Sequence, residues 1–152
     1  MDIQALERYL HRHIPISLPL GAGVREASAQ RVRLRAPLAP NLNHRQTAFG
    51  GSLSALAILA GWAWLHLRLA EHGHTGRIVI MRSSMEFLAP AEGDFEATCA
   101  APAPERWERF VRTLDQRGRA RLELDVALAV GGRPVATFRG HYVALTGPGE
   151  AA

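Results

Sequence analysis

Lysine is absent from this 152-residue chain: all eighteen basic residues are arginine, set against fourteen acids for a net charge of +4. Cysteine is nearly absent, with Cys99 alone. One thiol excludes an internal disulfide framework and a cysteine-clustered zinc site, so nothing in the composition points to secretion. The opening residues, Met1-Asp2-Ile3-Gln4, carry an early acid and lack the apolar stretch of a signal peptide. A cytoplasmic protein is expected. There is no Gly-x-Ser-x-Gly turn, which argues against a serine nucleophile on an α/β-hydrolase sheet. There is no glycine-rich phosphate loop either. The arginines are spread among acids without the aromatic–basic pattern of an RNA surface, so no nucleic-acid partner is expected. Two His-x-His pairs, His11/His13 and His72/His74, have no cysteine or carboxylate cluster beside them. Residues two apart on a helix do not share a face, and no metal site is expected.

What is present is a core. Apolar residues make up 47% of the chain, which suits one globular domain over residues 1–152. Asp2 to His13 reads as a short amphipathic helix within an N-terminal segment 1–14, with Ile3, Leu6 and Leu10 on one face and Asp2 as N-cap. Val24 to Ala36 alternates weakly and reads as one strand. Pro37 to Ala48 has no period and reads as a loop. Ala48 to Leu65 is eighteen residues without a charge, long enough for a membrane span. Gly50, Gly51, Ser52, Ser54 and Gly61 interrupt it, and the helical pattern runs on to His72 through His66, Arg68 and Glu71. A helix apolar all round can be buried in a water-soluble fold, so no membrane contact is expected. Ser54, Ala57 and Gly61 share a face that would admit close approach of sheet backbone.

Arg77 to Leu88 reads as the second strand, with Val79, Met81, Ser83, Met85 and Phe87 on one face. Asp94 to Ala101 reads as the third. Pro104 to Gln116 reads as a helical arm turning Trp107, Phe110, Val111 and Leu114 one way. Arg119 to Val130 and Pro134 to Leu145 form a hairpin, and residues 146–152 a frayed tail. In the hairpin, matching the apolar faces opposes Val126 to Phe138, Leu124 to Gly140, Leu122 to Tyr142 and Asp125 to Arg139. A three-residue loop, Gly131-Gly132-Arg133, would supply that register; pairing of Val130 with Arg133 would contradict it. The sum is an α+β fold: a curled, five-stranded antiparallel sheet wrapped around a long central helix.

Certain residues then carry a resemblance. A loop ending in Gly-Gly opens the long helix, and a later strand reads Ser83-Ser84-Met85-Glu86-Phe87-Leu88-Ala89-Pro90, followed by Gly93-Asp94. This looks like a hotdog-fold acyl thioesterase. The run Asn43-His44-Arg45-Gln46-Thr47-Ala48-Phe49-Gly50-Gly51-Ser52-Leu53 is similar to the thioesterase domain found C-terminal to an acetyltransferase in some bacterial proteins, the YiiD C-terminal type. The match covers about Ile14 to Leu145, as a stand-alone form. The resemblance implies a homodimer joined edge to edge, with two acyl-thioester sites at the interface. Dimers of dimers, hence tetramers, are common in the fold.

Thioester hydrolysis needs a polarised carbonyl, an activated water and a hold on acyl chain and carrier. Gly50 and Gly51 suit the first need: free N–H groups at a helix start stabilise developing negative charge. Many hotdog thioesterases place an acid about two turns into the central helix. Here that position is Ala57, no residue from Ser52 to Leu65 is acidic, and Glu71 is twenty residues past Gly51. Replacements must come from elsewhere. Asn43 and His44 are the loop candidates, with Asn41 a weaker competitor, and Ser83 is the strand candidate. Phe49, Ser52, Leu53, Ser84, Trp62 and Trp64 are candidates for lining the substrate. Arg82 and the arginines from Arg106 to Arg121 could grip coenzyme A phosphates in a guanidinium fork. Coenzyme A enters only as part of the substrate, and no cofactor is expected. The alternative is a non-hydrolytic acyl-thioester binding module of the same fold. A hotdog dehydratase is weaker, since it needs a histidine facing an acid.

Overall fold

The computed structural model describes residues 2–147. Its elements in chain order are α1 (Ile3–His13), α2 (Ser17–Leu20), β1 (Gly23–Ala27), β2 (Arg31–Ala36), α3 (Gly50–Glu71), β3 (Arg77–Phe87), β4 (Phe95–Ala100), α4 (Pro104–Arg117), β5 (Arg119–Val130) and β6 (Arg133–Leu145). One antiparallel sheet runs β1-β2-β4-β5-β6-β3 and wraps α3. This explains why α3 has no polar face. Leu53, Leu56, Ala57, Ala60, Ala63, Trp64 and Leu67 are all buried against the sheet or the elements that close it. By length and composition α3 could cross a membrane, but 61% of its most apolar window is buried within this fold.

The sheet has six strands where five are expected. The segment Val24–Ala36 folds back at Ser28, whose Oγ accepts from the Arg31 N–H (3.1 Å) and whose own N–H donates to the Arg31 carbonyl (2.9 Å). Arg31 Nε also donates to the Glu26 carboxylate at 3.1 Å. A serine turn without glycine or proline leaves little trace in an alternating pattern. The expected tail is tied down at its start, where the Thr146 N–H donates to the Gly118 carbonyl at 2.8 Å. Residues 148–152 of that tail lie outside the described residues.

The β5–β6 hairpin has the expected register in its body: Val126 opposes Phe138, Leu124 opposes Gly140, Leu122 opposes Tyr142 and Asp125 opposes Arg139. The loop is not the expected one. Val130 pairs with Arg133 across a two-residue Gly131-Gly132 turn with φ of +54° and +80°, the signature of a type I′ turn. A bulge restores the register, because Leu128 pairs with Ala136 while Ala129 pairs with Pro134. Val135 is the extra residue. Its carbonyl accepts from Leu88 N–H (2.8 Å) and Ala89 N–H (3.3 Å), so the bulge also ends β3. The buried face dictated the register, and the strand inserted a residue to satisfy both face and turn.

A second bulge corrects the face of β3. Ile80 pairs with Tyr142 and Arg82 with His141, which leaves Met81 over. Ser83, Met85 and Phe87 therefore share the helix-side face with Ile78 and Ile80, whereas Val79 lies on the outer face. The segment Ala89–Gly93 is not a hairpin turn. It leaves the β3 edge and crosses to β4, which is not a neighbour of β3 in the sheet, passing beneath the start of α3.

The two sheet edges are treated differently. At β1, Glu7 of α1 accepts from the Val24 N–H (2.8 Å), and His11 Nε2 donates to the Ala22 carbonyl (2.8 Å). A bulge between Val24 and Glu26 also twists that edge. At β3 eleven residues run bare, with Val79 and Met81 exposed. An open apolar edge is a template for pairing with another strand.

Small residues on α3 admit a side chain rather than sheet backbone. Tyr142, buried, donates its hydroxyl to the Ile58 carbonyl at 2.7 Å. A Cβ on Gly61 would lie 2.8 Å from Tyr142 Cζ and closer to its oxygen. Cys99 lies buried on β4, as expected, and burial pushes its thiol up to about 12. At that value the thiol stays protonated near neutral pH, and Cys99 serves as a packing residue.

His66 carries a pH signature. Its ring stacks on Tyr9 (4.3 Å) and Trp62 (4.9 Å), and Tyr9 packs on His13 at 4.2 Å. Its buried Nε2 has no partner among the described residues. Burial first, then the neighbouring His13, holds its pKa below the usual 6.5. The folded state thus favours neutral His66. The unfolded chain binds the extra proton, so stability is full above about pH 6.5 and is lost as pH falls below it. The expected result is a Tm that rises from pH 5 to pH 7, with a shallower slope in His66→Phe. Thermal melts across that range check it, and an unchanged slope in the variant would contradict it.

Candidate active site at the start of the central helix

The site is built on a loop that the core holds by its ends. Asn41 is buried and donates from Nδ2 to the Leu20 (2.9 Å) and Pro37 (2.8 Å) carbonyls. Its backbone carbonyl accepts from the Phe49 N–H at 2.7 Å. Asp94 holds the loop entrance: its Oδ1 accepts from the Leu38 N–H and its Oδ2 from Arg35, both at 2.9 Å. The Leu38 bond, aided by Arg35, keeps the Asp94 carboxyl below its usual pKa. Asn41 thus anchors the loop through its Nδ2.

Within the loop, Leu42 bridges Ala48 and the Asn43 N–H donates to the Thr47 carbonyl at 2.8 Å. The Asn43 side chain organises the turn. Its Oδ1 accepts from the N–H groups of Arg45 (2.8 Å) and Thr47 (3.2 Å). Its Nδ2 donates to Thr47 Oγ1 (2.8 Å) and reaches the Ala48 carbonyl at 3.5 Å. Gln46 sits at φ +63°, the one non-glycine residue with positive φ among the described residues. Such a conformation persists where surrounding bonds over-determine it, and here the Asn43 network does so. His44 stands at the tip, exposed, with no hydrogen bond among the described residues.

The loop delivers the chain to α3 without a side-chain cap. Phe49, at φ −59° and ψ 132°, is the N-cap, and its carbonyl accepts from Ser52 N–H (2.9 Å) and Leu53 N–H (3.2 Å). The N–H groups of Gly50 and Gly51 have no acceptor among the described residues, as the geometry of a helix start requires. Two aromatic rings flank them. A Cβ on Gly51 would come 3.0 Å from Phe49 Cδ1, and one on Gly50 would come 3.3 Å from Phe87 Cζ. Phe49 and Phe87 are each 57% exposed and Leu88 55%. Beneath them the Ala91 carbonyl accepts from the Ala48 N–H at 2.8 Å, so the crossing segment forms the floor. An open cleft of about 450 Å³ results, lined by Asn43, Thr47, Gly50, Leu53, Phe87 and Leu88 among others.

The structure therefore brings Asn43, Gly50 and Leu53 into one cleft, with the Phe49 ring against Gly51 beside it and half-buried Ser52 the next residue of α3. It separates others. Ser83 lies on the helix-side face of β3 but four residues from Phe87, about 13 Å along the strand. Arg82 and Ser84 lie on the outer face, away from the helix. Arg82 there lines a shallow depression with Arg106, Arg121, Glu123 and His141. Trp64 is core, its Nε1 donating to the Ala29 carbonyl at 3.1 Å. The histidine pairs are used locally: His72 Nδ1 bonds the Arg68 carbonyl at 2.9 Å, and His74 faces Asp115 at 3.0 Å. Sequence reasoning missed Thr47, Phe87 and Leu88 as site walls. The Phe-Leu-Ala-Pro run was the available signal, but its meaning depends on the crossing connection behind it.

The family model described as "Putative thioesterase (yiiD_Cterm)" matches residues 3–146. Among solved structures, a protein of unknown function from Chlorobaculum tepidum is 31% identical with a TM-score of 0.88, covering 95% of this chain and 94% of its own. A protein from Shewanella oneidensis described as a "putative thioesterase" is 28% identical with a TM-score of 0.83, covering 94% of this chain and 96% of its own. One from Pseudomonas aeruginosa, described as a probable thioesterase, is 24% identical with a TM-score of 0.84 and 97% coverage of both chains. It supports the fold. The chain belongs to the YiiD C-terminal-type thioesterase family and has its hotdog fold.

Proposed function

We propose that the protein hydrolyses an acyl thioester of coenzyme A or an acyl carrier, with the carbonyl held by the Gly50 and Gly51 N–H groups. The observation that carries this reading is that pair of consecutive amides, unpaired among the described residues, at a helix start whose Gly50 lines an open cleft with Leu53, Phe87 and Leu88. A thioester carbonyl oxygen gains charge as water attacks, and donors already aimed there need no reorganisation. His44 takes the proton from the attacking water and returns it to the departing thiolate, giving carboxylic acid and free thiol. Asn43, committed to its own loop, positions His44. Arg82, with Arg106 and Arg121, meets the phosphates of the carrier. The reaction needs no cofactor.

The active unit in this reading is a homodimer, joined through the bare β3 edge, since α1 already occupies the other edge. Ser83 then faces the interface, where it orients water or carbonyl for the neighbouring site. Sedimentation should return about twice the chain mass of 16.6 kDa, or four times if dimers pair; a monomer would contradict this.

One observation favours the binding-module alternative: α3 has no acid before Glu71. The test offers a graded panel of acyl-CoA thioesters with detection of released thiol. Turnover is expected, falling about 10²–10⁴-fold in His44→Ala, the usual worth of a general base. Calorimetric binding without thiol release from any member would establish the module instead.

A further inference from the structure

We infer that Trp62 is the specificity-determining residue that sets acyl-chain length, by closing the far end of an apolar stripe that begins at Gly51. The inference rests on the thioesterase reading above. Its ground is the relation between α3 and β3, which is fixed by a contact near each end of their shared surface. Near the helix start, Phe87 stands over Gly50. Farther along, Trp62 Nε1 donates to the Ile78 carbonyl at 3.2 Å. The two elements therefore run antiparallel, and the surface between these contacts is bounded at both ends.

Between them α3 presents one continuous half-exposed face. Gly51, Ser54, Ala55, Ile58, Trp62 and His66 fall within about 60° of one direction at 100° per residue, and none is fully buried. All but Ser54 and His66 are apolar or glycine. The facing side of β3 opens in the same direction: Ile78 is buried, Ile80 and Met85 are half-buried, and Ser83 and Phe87 are exposed. A chain whose carbonyl lies at Gly50-Gly51 thus has an apolar path along Ser54 and Ile58 of about 17 Å before it meets the indole. The indole is held from behind as well as from the side. It stacks on His66 at 4.9 Å, His66 stacks on Tyr9 at 4.3 Å, and Tyr9 packs on His13 at 4.2 Å. A wall four rings deep does not yield as one flexible side chain would.

Each methylene that finds an apolar partner is worth about fourfold in affinity, and one that meets a rigid wall loses that gain. The wild-type preference should therefore rise with chain length and then fall sharply. The test measures kcat/KM over straight-chain acyl-CoA thioesters from C2 to C18 for wild type, Trp62→Ala and Ile58→Trp. Trp62→Ala should move the optimum to longer chains, and Ile58→Trp, which fills the path one turn nearer the carbonyl, should move it to shorter chains. The second variant keeps the inference open to refutation if the first fails to fold. Hydrolysis by wild type with the same optimum in both variants would overturn the role of Trp62 alone. No hydrolysis by wild type on any chain would overturn the thioesterase reading instead.

Discussion

Gly50→Pro should lower kcat for thioester hydrolysis by about 10²–10³-fold while the protein stays folded. The size is that of one lost oxyanion donor, because proline removes a single N–H and little else at this position. The first helical residue makes no intrahelical N–H bond, and its backbone is already suited to proline. Phe49 before it has the extended conformation, ψ 132°, that a following proline demands. Gly50→Ala is the matched control. It keeps the N–H and adds one Cβ about 3.3 Å from the exposed Phe87 ring, which can move. Alanine should retain activity within a few-fold, and both variants should melt near wild type. Equal loss in both would mean that space rather than the amide mattered.

Gly61→Ala should destabilise the fold by about 2 kcal/mol, against the direction that helix propensity indicates. In an exposed helix the change gains about 1 kcal/mol. Here the added methyl would meet the Tyr142 ring at 2.8 Å, and Tyr142 cannot retreat without giving up its 2.7 Å bond to the Ile58 carbonyl. Overpacking of this kind costs about 1–3 kcal/mol and the lost hydrogen bond about 1 more, so sterics outweigh propensity. Thermal or urea unfolding gives the sign. Tyr142→Leu combined with Gly61→Ala should recover part of the loss, because neighbours that share one space do not add.

Much of the fold was legible because the residues had one consistent use. The uncharged stretch up to Leu65 needs burial over most of its circumference, which a wrapped sheet supplies. The hairpin register followed from matching faces, and it held even though the turn did not, because a bulge at Val135 costs less than exposing Val126 and Phe138. What escaped the sequence depended on individual side-chain bonds, local or distant, and on single inserted residues. The Ser28 turn, the Glu7 and His11 contacts that cover β1, and the Met81 bulge leave no periodic mark. At the site, Gly50 and Gly51 were legible because a helix start has free amides wherever it occurs. The function of Asn43 was not, since only the structure shows that its four bonds stay within the loop.

The most direct measurement is a crystal structure with an acyl-CoA analogue in which a methylene replaces the sulfur, leaving a ketone that cannot be hydrolysed. The account predicts the ketone oxygen about 2.7–3.1 Å from the Gly50 and Gly51 nitrogens, the distance of an oxyanion donor, with the acyl chain between α3 and β3 pointing toward Trp62. A ketone lying elsewhere, with both glycine amides facing water, would contradict it.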